Sequence, residues 1–158
     1  MNKKSIIFLL ILILIPVVLY LLWPSDERRI KKLFRKGSEA VEKEDLSGVM
    51  SVVSYNYRDD YGLTYLYVRE HVKSIFQRMR DIKVEYENLD IKVNDATATA
   101  EMDVRVIGAM GNETGYFLGD LANPEHLKFT LEKERTKWLV TKTEKLPGDL
   151  RGLQNHEP

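Results

Sequence analysis

The apolar residues of this chain keep one spacing up to about Arg80 and another from Ile82 onward, and that single change limits the folds open to it. Before the change they recur every three or four positions, as on one face of a helix; after it they alternate, as on one face of a strand. Helices first and strands afterwards predict an α+β domain, with three N-terminal helices packed on one face of a curved antiparallel sheet. The first helix opens at Ser25, whose hydroxyl suits a cap, with Asp26 and Glu27 against the positive end of the dipole. Its apolar face is Ile30, Leu33, Phe34, Gly37 and Val41. Asp45 caps a short second helix through Met50 and Val53 to about Ser54, and the third covers about Thr64 to Arg80, with Val68, Val72, Ile75, Phe76 and Met79 inward.

In the strand region Ile82, Val84 and Tyr86 alternate with charged residues. The parity then slips near Asn88, and Leu89, Ile91 and Val93 continue on the other one, which predicts a bulge that bends the strand. Asn94 and Asp95 predict a turn, after which Ala96, Ala98, Ala100, Met102, Val104 and Val106 face inward. The three small alanines either leave room for a ligand or let the first helix approach closely, and close packing is the expectation. Leu127, Phe129 and Leu131 mark a later strand, which Arg135 and Thr136 turn into KWLVTKTEKL. Between them, GAMGNETGYFLGDLANPEH is too long and too glycine-rich for an ordinary hairpin loop. Its apolar residues, Tyr116 and Phe117 among them, predict an additional strand over Thr114 to Leu118 or else an interaction surface.

These patterns resemble the nuclear transport factor 2-like superfamily, whose domains have the cystatin-like α+β cone. The likeness runs from about Ser25 to Leu146 and rests on the first helix leading into EKEDLSGVMSVVSYNYRD, on ENLDIKVNDATATAEMDVRV and on the hairpin FTLEKERTKWLV. It implies a sheet wrapped around a pocket behind the helices. Some members are isomerases, dehydratases or hydrolases that work with a carboxylate base and a hydroxyl or acid donor inside the cone; many others only bind or assemble.

The other constraint is the run from Ile6 to Trp23, eighteen residues without a charge. As a helix it would reach roughly 27 Å, close to the thickness of a bilayer core. Leu19, Tyr20, Leu21, Leu22 and Trp23 stand where a signal peptide would need small residues for cleavage. The expected organisation is a basic N-terminal tail over 1–5, a single-pass transmembrane anchor over 6–23, the cone domain over 25–146 and a flexible tail over 147–158. Lys3 and Lys4 ahead of the run favour export of everything after it, whereas Arg28, Arg29, Lys31 and Lys32 behind it favour retention. Export is the expectation, and it makes the domain extracytoplasmic. The four membrane-proximal cations are either a headgroup contact or a solvated helix face.

The 24 basic residues equal the 24 acidic ones, so no large basic surface is left for nucleic acid. With no cysteine there is no disulfide or thiolate chemistry, and His71, His126 and His156 lack metal-site spacing, so no cofactor or metal is expected. Asp59 and Asp60, between Tyr57 and Tyr61, are the nearest approach to a catalytic pair but read as a solvated loop, and no residue is assigned a catalytic role. Candidate ligand- or partner-binding residues are Tyr55, Tyr57, Tyr61 and Tyr65 in the tyrosine-rich connector, His71 beside the apolar face of the third helix, and Tyr116 with Phe117 in the long connection. The expected function is a membrane-anchored binding or assembly module without catalytic activity, meeting protein partners in its membrane or a hydrophobic small ligand and forming at most a weak homodimer. The alternative is a membrane-tethered enzyme of isomerase, dehydratase or hydrolase type. An assembly module can fill its cone with side chains, whereas an enzyme needs an open cavity with an inward acid or base.

Overall fold

In the computed structural model, Leu12 and residues 25–144 are described. The expected N-terminal tail, nearly all of the anchor and the C-terminal tail lie outside those residues, and among the described residues no helix is long and apolar enough to cross a membrane.

Three helices precede the sheet: α1 (Asp26–Glu42), α2 (Leu46–Met50) and α3 (Tyr65–Arg78). Ser25 caps α1 through its hydroxyl, which accepts from the Arg28 amide, and Asp45 caps α2 by accepting from the Gly48 amide at 3.0 Å. Gly48 also lets α2 lie close on α1, because a Cβ there would stand 2.8 Å from that of Ala40. α1 buries Ile30, Leu33 and Phe34 of the stripe that its spacing predicts and adds Ala40, while Gly37 and Val41 are half-buried. Two boundaries differ from the sequence reading. α2 stops at Met50, leaving Val53 to bridge Val140, and α3 stops at Arg78, because Met79 and Arg80 already pair with Met110 and Ala109 in the sheet.

The strands are β1 (Met79–Asn94), β2 (Thr97–Met110), β3 (Glu113–Leu118), β4 (Glu125–Glu134) and β5 (Lys137–Glu144). All pairings are antiparallel in the order β1-β2-β4-β5, with β3 paired to β2 beyond the end of β4. The additional strand predicted over Thr114 to Leu118 is therefore present as β3. The expected bulge is there too: the β1–β2 register shifts between Glu87 and Asp90, Asn88 takes φ 55°, and its side-chain amide donates to Asp103 at 2.7 Å. A second shift between Arg80 and Lys83, with Asp81 at φ 53°, bends β1 again.

Inside the sheet Ala98, Ala100, Met102 and Val104 are buried and alternate with more exposed residues, as the sequence requires. Ala96 does not belong with them. The β1–β2 turn is Asp95–Ala96 rather than Asn94–Asp95, since Asn94 already pairs with Thr97, and this leaves Ala96 exposed. Ala98 and Ala100 lie in the core cluster with Ile30, Leu33, Leu131 and Trp138.

The start of α1 is fastened to the β4–β5 hairpin by one carboxylate. Asp26 accepts from Lys133 Nζ at 2.9 Å and from the indole N–H of Trp138 at 3.0 Å, and Lys133 stands 5.6 Å from the centre of the Trp138 ring. Trp138 is buried, so losing its acceptor would leave a donor in the core at a cost of about 1–3 kcal/mol. The Lys133 hydrogen bond, then that of Trp138, holds the Asp26 carboxyl below its ordinary value of 3.8. A depressed carboxyl contributes stability above its unfolded pKa and loses it as pH falls through the folded one. Asp26→Ala is therefore expected to lower the urea midpoint at neutral pH, with the gap to the unaltered chain closing as the pH drops below 3.8; parallel melts at both pH values check it.

A further constraint sits between β3 and β4. Gly119 has φ 63°, and a Cβ there would meet the Val104 carbonyl oxygen and the Glu125 amide at 2.9 Å. Gly119→Ala is expected to destabilise by more than about 1 kcal/mol in chemical denaturation, because both the left-handed backbone and its backbone neighbours resist the methyl.

Candidate functional site

α3 determines the interior. None of its residues is buried, although Val68, Val72 and Ile75 all point inward, so its apolar face stands over space rather than against the sheet. The space is a cavity of about 350 Å³ between α1, α3 and the curved sheet. Leu33, Phe34 and Val41 of α1 wall one side, Val68, Val72 and Ile75 of α3 another, and Val84, Met102, Val104, Leu127 and Phe129 form its floor. Ala98 and Ala100 are not part of the lining, which agrees with their packing role.

A few polar groups interrupt these walls. Tyr57 is buried at one edge beside Thr143; burial pushes its phenol above the ordinary value of 10.0, with Thr143 hydrogen bonding opposing the shift and the Asp59 charge adding to it. His71 lies on α3 with its ring stacked on Tyr67 at 6.0 Å. Its Nε2 is buried and has no hydrogen-bond partner among the described residues. Burial first, and the nearby Arg78 charge second, lower its pKa below 6.5, so the imidazole is neutral at physiological pH. The resonances of His71 are therefore expected to titrate below 6.5 in an NMR pH series, and a midpoint above that value would remove the buried site assigned to the ring.

The acid pair behaves differently. Asp60 is exposed and salt-bridged to Lys142 at 2.9 Å, a surface contact. Asp59 is buried, and its Oδ1 accepts from the amides of Tyr61 and Leu63, both at 2.9 Å. It is thus a buried turn-builder rather than the solvated loop residue that the sequence suggests. Its Oδ2 has no partner among the described residues, and neither aspartate lines the cavity.

Of the candidate residues, only Tyr57 and His71 meet at the cavity. Tyr55 and Tyr65 pair their rings at 4.5 Å in a separate groove between α2 and α3, where Arg69 also lies. Tyr61 is exposed, and Tyr116 with Phe117 sits on β3. Arg28, Lys31 and Lys32 point to solvent from α1, Lys31 pairing with Glu27 at 2.7 Å, while Arg29 lies 3.8 Å from Asp26. The sequence reading missed Thr143 and the aliphatic lining as site residues; the available signal was that α3 carries apolar residues without any neighbour assigned to cover them. Beside the cavity, Tyr67, His71 and Ile75 also border a second hollow of about 240 Å³ with a more polar edge, which includes Glu70, Ser74 and Arg78 and ends at Met79 and Met110. Among the described residues there is no cluster of three or more potential metal ligands.

The layout of helices on a curved sheet around a hollow is shared with solved structures. The chain has an α+β cone of the cystatin-like fold. A candidate scytalone dehydratase from Novosphingobium aromaticivorans superposes with a TM-score of 0.65 at 14% identity over 75% of this chain and 80% of its own. A candidate aromatic ring hydroxylase from the same organism gives 0.64 at 19% over 75% and 85%. A cystatin-like protein of unknown function from Nostoc punctiforme gives 0.59 at 17% over 77% and 94%. At these identities the likeness establishes the fold and no activity. No protein-family model matches the chain, and no curated protein does.

Proposed function

We propose that this chain is a membrane-anchored, extracytoplasmic binding module whose cone takes up an apolar small molecule. The observation that carries the reading is the open cavity: about 350 Å³ walled by aliphatic and aromatic side chains, with a few polar groups at its edges, is the usual character of a small-ligand site. A module that served only assembly would have no need of such a space. The anchor rests on the uncharged run from Ile6 to Trp23, and export on Lys3 and Lys4 ahead of it. Protein partners in the same membrane fit the same reading, since confinement raises effective concentration and lets weak contacts suffice.

Catalysis on the bound molecule is the second reading, and one observation favours it. His71 presents a neutral, unpartnered imidazole nitrogen beside the cavity, the state required of a general base, and the Tyr57 phenol on the same lining is of the donor type. The names of the two Novosphingobium proteins, dehydratase and hydroxylase, are compatible with an apolar aromatic substrate.

Binding is tested by filling the space. Val72 is only half-buried, so Val72→Trp can project into the cavity without disrupting a packed core. The variant is expected to keep its thermal midpoint within a few degrees while losing at least about tenfold in affinity for an apolar fluorescent probe. Unchanged probe binding would remove the cavity as the site. For topology, a reporter enzyme active only outside the cytoplasm, fused after Leu146, is expected to be active; a silent reporter removes the export assignment.

A further inference from the structure

We infer that the end of the domain where α1 begins is a composite basic seat that rests on the anionic headgroups of the membrane, built from the first turns of α1 together with the tip of the β4–β5 hairpin. This rests on the proposed anchor. In the sequence alone the cations behind the apolar run are a local cluster, whose members read more readily as a solvated helix face. The fold adds residues more than a hundred positions away. Asp26, three residues after Trp23, holds Lys133 at 2.9 Å and Trp138 at 3.0 Å, and this brings the Arg135–Thr136 turn beside the point where the chain enters the domain. The Lys133 amide also donates to the Ala96 carbonyl at 2.8 Å, so the β1–β2 turn closes the same end.

The charges at this end divide into used and unused. Asp26 is satisfied by Lys133 and Trp138, and Glu27 by Lys31. Arg28, Lys32, Arg135 and Lys137 are exposed, and none takes part in an ion pair among the described residues. Three acids share the end without an ion pair among the described residues, Asp95 in the β1–β2 turn and Glu132 and Glu134 on β4, the last accepting from the Ser54 hydroxyl, so the unpaired charge is a small excess of cations. Arg28 is in the first turn of α1, and side chains there lean toward the helix N-terminus, the direction of the proposed anchor. Arg135 and Lys137 belong to the hairpin that Asp26 holds through Lys133 and Trp138, on long stems that can reach phosphate oxygens while the hairpin stays fixed. The Asp26 clamp turns an anchor on a swivel into one with a preferred orientation.

The chain has no cysteine, so single probes can be placed without background labelling. Thr136→Cys reports the seat, and Tyr116→Cys on β3 reports the opposite end of the sheet. The full-length chain, labelled at one position with a fluorophore, is reconstituted into vesicles of phosphatidylcholine with or without phosphatidylglycerol, each carrying a headgroup quencher. Flotation with vesicles of either composition reads the anchor. Quenching at position 136 that requires the anionic lipid, fades in high salt and is absent at 116 supports the seat. Adding Arg135→Gln and Lys137→Gln is expected to raise the anionic lipid needed for half-maximal quenching roughly tenfold. Flotation with equal quenching at both positions, or with no effect of anionic lipid or salt, overturns the seat and leaves the anchor standing. A chain that does not float overturns both.

Discussion

Every strand except β5 is held directly by β2. Along one edge β2 pairs with β1 from Thr97 to Met110; along the other it pairs first with β4 and then, past Val104, with β3. One strand thus serves two partners end to end, and the chain must leave β3 and enter β4 within a few residues. Gly119 sits at that junction, against the Val104 carbonyl where the second edge changes partner. Because β2 is fixed on both edges, the bulges in β1 cannot be absorbed by sliding and must appear as curvature. The curvature makes the floor concave, and the concave floor is what α3 fails to fill.

α3 is attached differently from α1. The first helix buries four residues and is tied to the sheet by the Asp26 carboxylate, whereas the third buries none and has no side-chain cap at Thr64. A helix held by half-buried contacts is the wall of the cone most easily displaced, since low local burial is what allows local opening. On the proposed reading, an apolar molecule would therefore enter most cheaply on that side. The same looseness explains the unpartnered His71 nitrogen: its ring is shielded by Tyr67 and by the cavity walls, but no polar group of the sheet comes near enough to satisfy it.

The fold was legible in the sequence because its determinants are local and periodic. The switch of period at about Arg80, the caps at Ser25 and Asp45 and the parity slip at Asn88 each act within a few residues, and each has its counterpart in the structure. Where local signals competed with pairing, pairing won, as at Met79 and Arg80, which continue the helical pattern yet lie opposite Met110 and Ala109. The site was less legible. Tyr57 and His71 stood out by type, but Tyr55, which looks the same in sequence, is 80% exposed while Tyr57 is 5% exposed. What separates them is tertiary: Ser54 and Arg58 join β5 through the carbonyls of Val140 and Thr141, and of the three residues between them only Tyr57, next to the Arg58 bond, is turned inward. Nothing local in YNYRDD encodes that. The apolar lining was visible residue by residue, but whether opposed apolar faces touch or enclose a space depends on the curvature of the sheet, which no single segment specifies.

The two ends of the sheet have different surroundings, and this bears on how a ligand would reach the cavity. The β1–β2 turn and the β4–β5 hairpin lie at the Ser25 end, while Met79 and Met110, which close the polar hollow beside His71, lie at the other. Thirteen residue steps along β2 separate Thr97 from Met110, on the order of 40 Å for an extended strand and less for a curved one. With the Ser25 end seated on a bilayer, the hollow would face the aqueous side. An apolar molecule entering there would cross water before reaching the cone, so the geometry suits exchange with another protein better than direct extraction from the lipid beneath. A neutral His71 at the boundary between hollow and cavity adds little charge barrier to such a passage, whereas a protonated one would have to be desolvated against the apolar walls.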